Sequence, residues 1–303
     1  MSARAWLLFA ASSIIWGLPY FFIKVAVDAG VPPSFLAWAR VALGAAVLLP
    51  VALHRGALRG LRGRGGAIAI YALADIAVPF VLVGIGERYI SSSLAAILVA
   101  TMPLLVALMS IRLSSADKPS RLRLLGLVIG LGGVIALLGI DVVGRADEFW
   151  GAALVLLATA GYALAPIVVS RRLADLHPLG PVTASLMLST LALLPAALAQ
   201  LPHATPSLGA IAAIATLGVV CTAGGLVVFF QLIAEAGPTR ASVVTYVNPV
   251  VAVIIGVAAL GEHLGVMSIA GLICILGGSW LSAMTNPLPS RSAPAADAKG
   301  RSS

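Results

Sequence analysis

Apolar runs alternate with short polar connections along almost the whole 303-residue chain. Each run is long enough for an α-helix to cross a bilayer, which takes roughly 17–25 residues. The pattern predicts ten such helices, at residues 5–23, 31–53, 66–86, 94–111, 122–140, 149–170, 178–201, 208–234, 241–261 and 264–284. No room remains between them for a soluble domain. The last stretch, TNPLPSRSAPAADAKGRSS at 285–303, is rich in Pro, Ser and Ala and is expected to be a disordered tail, because it cannot bury enough apolar surface to fold.

Composition sharpens the class. Hydrophobic residues make up 60% of the chain and charged ones 10%, against roughly 25% charged in soluble domains, which marks an all-α, multi-pass membrane protein. The first run follows Arg4 but precedes no small-residue cleavage site, and it reads as a retained helix rather than a leader. Cys221 and Cys274 both fall inside apolar runs, without the spacing of a metal site or a disulfide framework.

The net charge of +8 could suggest nucleic-acid partners, so its distribution decides what it means. With the N-terminus inside, 15 of the 19 Lys and Arg residues fall on one side of the membrane. Lys24, Arg88 and Arg145 fall on the other, and Arg40 lies within a helix. The positive-inside rule then puts both termini in the cytoplasm, and the basicity is topological rather than a nucleic-acid footprint.

The chain also repeats itself. Pro50 and Pro195 end matching LLP runs at an offset of 145, while Trp16 and Tyr162, and Pro103 in ATMPLLVAL and Pro249 in YVNPVVAVI, are offset by 146. Five helices is an odd number, so a second copy over 149–284 enters the membrane upside down relative to the first over 1–140. The loops 54–65 and 112–123 of the first copy hold four Lys or Arg residues each, whereas their partners in the second, 202–207 and 262–263, hold none. Inverted repeats are a secondary-transporter architecture that places the substrate site near the midplane, between the halves.

The run IIWGLPYFFIKVAVDAGVPPSFLAWARVALGAAVLL resembles the opening of the EamA-type drug/metabolite transporters, with Trp16-Gly17 and Lys24 in the first helix and Arg40 in the second. LGEHL at 260–264, followed by GLICILGGSWL, is similar to the end of each repeat in that family. The first repeat departs from it, reading LSSADK with Asp117 one residue off the register of Glu262. The resemblance covers residues 5–284. It implies a carrier of small metabolites, commonly an exporter of amino acids or related compounds across the bacterial inner membrane. It also implies a central cavity among the first four helices of each half, with the fifth peripheral.

Arg40 lies nine residues past Val31, about 14 Å below the outer boundary of a core roughly 30 Å thick. Snorkelling does not easily reach water from there, and a central Arg costs at least about 2.5–3.5 kcal/mol, so it needs a partner or a wet cavity. Asp75 in YALADIAVPF is the expected partner, as the only carboxylate deep within any run. The two form either a structural pair or part of a substrate site, in which Asp75 binds an amine or a coupling proton. Pro79 removes the hydrogen bond to the carbonyl of Asp75 and makes that turn pliable.

Further prolines, Pro19, Pro103, Pro166 and Pro249, mark candidate hinges or cavity walls. Trp16, Tyr20, Lys24, Tyr162 and Asn248 near them complete a candidate substrate site, although each aromatic could equally face lipid, and Asn248 and Gln231 could be interhelical glue. Gly126 and Gly130, and Ala270, Cys274 and Gly278, form small-residue faces on the fifth and tenth helices. These indicate close packing within one chain or a homodimer through the two helices.

No phosphate loop, second intramembrane aspartate or nucleophile with a base occurs, and all four histidines, at 54, 177, 203 and 263, lie between runs. A carrier without cofactor or metal is therefore expected, and not an enzyme, with a channel or scaffold as distant alternatives. Lys24 and Arg40 against Asp75 suit a zwitterion such as an amino acid, with quaternary amines and other drugs as the alternative cargo.

The orientation is tested by single cysteines on a background in which Cys221 and Cys274 are replaced by serine. In intact cells an impermeant maleimide should label Ser207→Cys at once and Gly60→Cys only after permeabilisation; the reverse pattern contradicts a cytoplasmic N-terminus.

Overall fold

The computed structural model describes residues 1–113, 120–141 and 145–283. Asp117, Lys118 and the tail at 285–303 lie outside the described residues. Among those described, the chain is helical and contains no strand. Eight helices are long and apolar enough to cross a membrane, and Val244–Leu260 is a shorter apolar helix. With Arg121–Asp141 they make the ten spans and two inverted five-helix repeats of the sequence reading.

Local chemistry sets the boundaries. Ser2, Ser91 and Ser207 each accept a hydrogen bond from a backbone N–H in the first turn of the first, fourth and eighth spans, satisfying groups that a helix start leaves unpaired. The first span runs from Ala3 to Asp28, a turn beyond the end of its apolar run. Lys24 and Asp28 carry it on, pairing at 3.2 Å across one helical turn.

The backbone is irregular at matching places in the two halves. The third span is interrupted by a π-helical stretch at Ala72–Ala77, and the eighth by one at Thr216–Gly224. Adding the repeat offset of 146 to 72–77 gives 218–223, inside the second stretch. The fourth and ninth spans break as well. Ser92–Val99 resumes at Met102, and Pro238–Ala241 resumes at Val244. Pro103 sits in the first turn after such a break, where a missing N–H costs little, Pro79 directly follows the π-helical stretch in a continuous helix, and Pro166 precedes a π-helical stretch at Val169–Leu173. Pro19 and Pro249 instead lie within uninterrupted helices.

Three buried clusters join spans from both halves. Val41, Leu48, Ile68 and Leu186 tie the second, third and seventh together, and Ile23, Leu36, Ala158 and Leu217 the first, second, sixth and eighth. Ile97, Leu104, Leu137, Val155 and Ile275 join the fourth, fifth, sixth and tenth. The small faces of the fifth and tenth spans meet each other inside one chain. A Cβ on Gly126 would lie 2.6 Å from the carbonyl oxygen of Gly278, and one on Gly133 2.7 Å from Cys274 Cβ. The tenth-span face is Gly271, Cys274, Gly278 and Ser282, with Ala270 exposed on the other side. Val128, Ile135 and Ile273 point outward, as lipid-facing residues do.

Candidate functional site

Arg40 is buried, with 8% of its surface exposed. The second and eighth spans approach closely at glycines. A Cβ on Gly44 would sit 2.9 Å from Thr222 Cγ2, and one on Gly218 2.5 Å from Leu43 Cβ and 2.9 Å from the Arg40 carbonyl oxygen. That contact brings Arg40 against the π-helical stretch of the other half, where its Nε donates to Thr222 Oγ1 at 3.0 Å. Thr222 in turn donates to the carbonyl of Leu217, five residues back, at 2.8 Å. The guanidinium carbon stands 3.9 Å over the centre of the Phe80 ring, a cation–π contact that a buried cation gains without losing a donor. The two terminal nitrogens make no hydrogen bond or ion pair with any described residue.

The expected Arg40–Asp75 pair does not form. Among the described residues no ion pair joins them, and the neighbour of the Asp75 carboxyl is instead Tyr71, one turn earlier. Depth along two helices was legible in the sequence; which way each side chain faces was not. The π-helical stretch holding Asp75 also carries an extra residue per turn, which shifts the helical phase. Tyr162 lies within electrostatic range of both Arg40 and Asp75.

Tyr20, Tyr162, Cys221 and Glu87 surround the guanidinium at electrostatic range. Tyr20 also lines a small cleft of about 50 Å³ with Val99, Met102, Pro103, Asn248 and Pro249, so the two halves contribute facing walls at the helix break of the fourth span. Of the residues singled out in the sequence, Tyr20, Arg40 and Tyr162 come together, and Tyr20, Pro103, Asn248 and Pro249 form the cleft. The others stand apart. Lys24 lies further along the first span, donating to the Glu87 carbonyl at 2.8 Å and pairing with Asp28. Trp16 packs on Phe229, ring centres 4.5 Å apart. Gln231 is exposed.

Sequence reasoning passed over Phe80, Thr222 and Glu87. Phe80 and Thr222 carry no signal in a membrane helix, where both types are ordinary. Glu87 lies just past an apolar run, beside Arg88, and reads as loop. Its neighbours Arg88 and Tyr89 are exposed, whereas Glu87 is fully buried, so Asp75 is not the only acid deep in the protein. Glu262 of the LGEHL motif also acquires a role. Gly261 adopts a left-handed φ of 66° that ends the ninth span, and Glu262 then accepts from the backbone N–H groups of Ser92 and Ser93 at 2.7 and 3.0 Å, capping the start of the fourth.

A double-mutant cycle on purified protein separates the contacts. Arg40→Leu and Asp75→Leu should destabilise additively, with coupling below about 0.5 kcal/mol, whereas Arg40→Leu and Thr222→Val should couple by about 1 kcal/mol. Recovery of thermal stability in the Arg40/Asp75 double mutant would restore the pair.

The EamA-like transporter family matches residues 3–139 and 149–284. The uncharacterized inner membrane transporter YedA of Escherichia coli K12 is 32% identical over 255 residues, covering 83% of this chain and 81% of that one. An uncharacterized transporter of Archaeoglobus fulgidus is 25% identical over 284 residues, covering 92% and 98%. A solved structure described as the crystal structure of a protein superposes with a TM-score of 0.66 at 17% identity, over 94% of this chain and 98% of that one, a likeness of fold. The chain belongs to the EamA-like transporter family and is a multi-pass membrane transporter.

Proposed function

We propose that the chain is a secondary carrier that exports amino acids or closely related small zwitterions across the bacterial inner membrane by alternating access, with both termini in the cytoplasm. The observation that carries this reading is the guanidinium of Arg40, buried at the junction of the halves and fixed by Thr222 and Phe80, with both terminal nitrogens unclaimed. A buried cation without an anion is costly, and an arginine fork matches a carboxylate in two parallel hydrogen bonds. A substrate carboxylate supplies what the protein leaves out.

Asp75, within electrostatic range of Tyr162, is the acid toward which the substrate's ammonium points, and the cleft at Tyr20, Asn248 and Pro249 takes its side chain. Lys24, engaged with Asp28 and the Glu87 carbonyl, lines the approach rather than the seat. A drug-like monocation is less suited to a site centred on an unpaired arginine. A homodimer through the fifth and tenth spans would use their outward faces, since their glycine faces are spent on each other.

Proteoliposomes preloaded with a mixture of unlabelled amino acids should take up the corresponding ¹⁴C-labelled mixture by saturable counterflow. Arg40→Leu should lower that flux at least about tenfold and Asn248→Ala less, because only the former removes a charge-assisted contact. Uptake no greater than in empty liposomes, or equal losses from the two substitutions at matched reconstitution, would contradict the proposal.

A further inference from the structure

Glu87 follows the last residue of the third span, and none of its surface is exposed. Its backbone carbonyl is well served, accepting from Lys24 Nζ at 2.8 Å. Its carboxyl is not: both oxygens are buried and neither has a hydrogen-bond partner. The titratable and charged groups around it come from every neighbouring element. Lys24 and Asp28 face it from the first span and Arg40 from the second, with Glu262 from the connection after the ninth. Tyr20 and Tyr162 lie within the same range.

The cations nearby are only partly available. Lys24 is bonded to Asp28 and to the Glu87 carbonyl rather than to the carboxyl, and Arg40 is turned to Thr222 and Phe80. The other two acids oppose a negative charge. As an anion, Glu87 would be dehydrated, would accept no hydrogen bond and would face two further carboxylates. As a neutral acid it avoids most of that cost. Beyond the end of the span, burial pushes the carboxyl well above the ordinary range, Lys24 opposing the shift and Glu262 adding to it.

Beside this seat, Glu262 fastens the second half to the first, holding the N–H groups of Ser92 and Ser93 and the Ser93 hydroxyl. Those bonds join the connection after the ninth span to the start of the fourth, five residues along the chain from Glu87. Alternating access must part the halves at that end, and parting them admits water to Glu87.

We propose that Glu87 is a proton-binding site of this carrier: a neutral acid while the Glu262 joint is closed, and an anion that has given its proton to water once the joint opens. The proton leaves a carboxyl oxygen and returns to it, with no other bond made or broken. Coupling of that proton to substrate rests on the carrier reading above, whereas the site itself is testable without any substrate.

Infrared spectra of the purified protein in lipid nanodiscs, taken between about pH 5 and pH 10 to span the carboxyl range, read the site directly. Wild type should show a carbonyl band of a neutral, apolar-seated carboxyl that disappears toward high pH, and Glu87→Gln, with an unchanged thermal unfolding profile, should lack that component. Asp75→Asn should retain it. A Glu87→Gln spectrum that superimposes on wild type at every pH would overturn the proposal, and so would loss of the band in Asp75→Asn alone. In proteoliposomes, the ratio of amino-acid counterflow with and without an imposed pH gradient should exceed one in wild type and fall to one in Glu87→Gln, whatever the variant's absolute flux. Absence of counterflow in wild type would defeat the amino-acid reading and leave the infrared result standing.

Discussion

A guanidinium held within the membrane without a counter-ion governs the rest of the architecture. The second and eighth spans must meet at glycines so that Arg40 can reach Thr222. Thr222 must sit in a π-helical stretch whose altered register lets its hydroxyl bond five residues back. Phe80 must lie beneath the cation to replace part of its hydration. What these contacts leave unsatisfied is directional. The two terminal nitrogens make no hydrogen bond or ion pair with any described residue, and the proposed carboxylate site rests on that.

The inverted repeat explains why that space exists. Each half distorts its third helix with a π-helical stretch, at positions related by the repeat offset, and each also breaks its fourth, though four residues apart in repeat register. Irregular backbone at membrane depth is tolerated where protein covers it or a cavity needs it, and here both distortions border the junction. The chemistry laid on this symmetric frame is not symmetric. Arg40, Asp75 and Glu87 all belong to the first half, while the second contributes Thr222, Tyr162 and Asn248, hydrogen-bonding groups without charge. In the proposed carrier the frame would supply two alternative closures, and the charges of the first half would hold the substrate.

Much of the fold was written in hydropathy, because a bilayer punishes every exposed backbone group and so forces long apolar helices that announce themselves. The repeat was legible through Pro103 and Pro249, and the importance of Arg40 through the cost of its depth. Its partner was not. Periodicity gives how far a residue lies along a helix, but rotation about the helix axis depends on packing, and a π-helical stretch alters that rotation without any mark in composition. Hence Asp75 turned to Tyr71, and a threonine and a phenylalanine of no sequence distinction took its place. Glu87 was hidden for the opposite reason, since a polar residue beside a connection looks solvated, as its neighbours Arg88 and Tyr89 are. Glu262 was conspicuous as part of LGEHL, yet its purpose needed the fourth span's first turn in view.

The measurement that bears most directly on Arg40 compares amino acids with their own carboxamides, which keep side chain and ammonium but lose the negative charge. Thermal unfolding of the purified carrier should be shifted upward by at least one amino acid of a broad panel and not by its amide, and Arg40→Gln should respond to neither. An amide that stabilises the protein as well as its parent acid, or an Arg40→Gln protein that still distinguishes the two, would show that the carboxylate is read somewhere other than at Arg40.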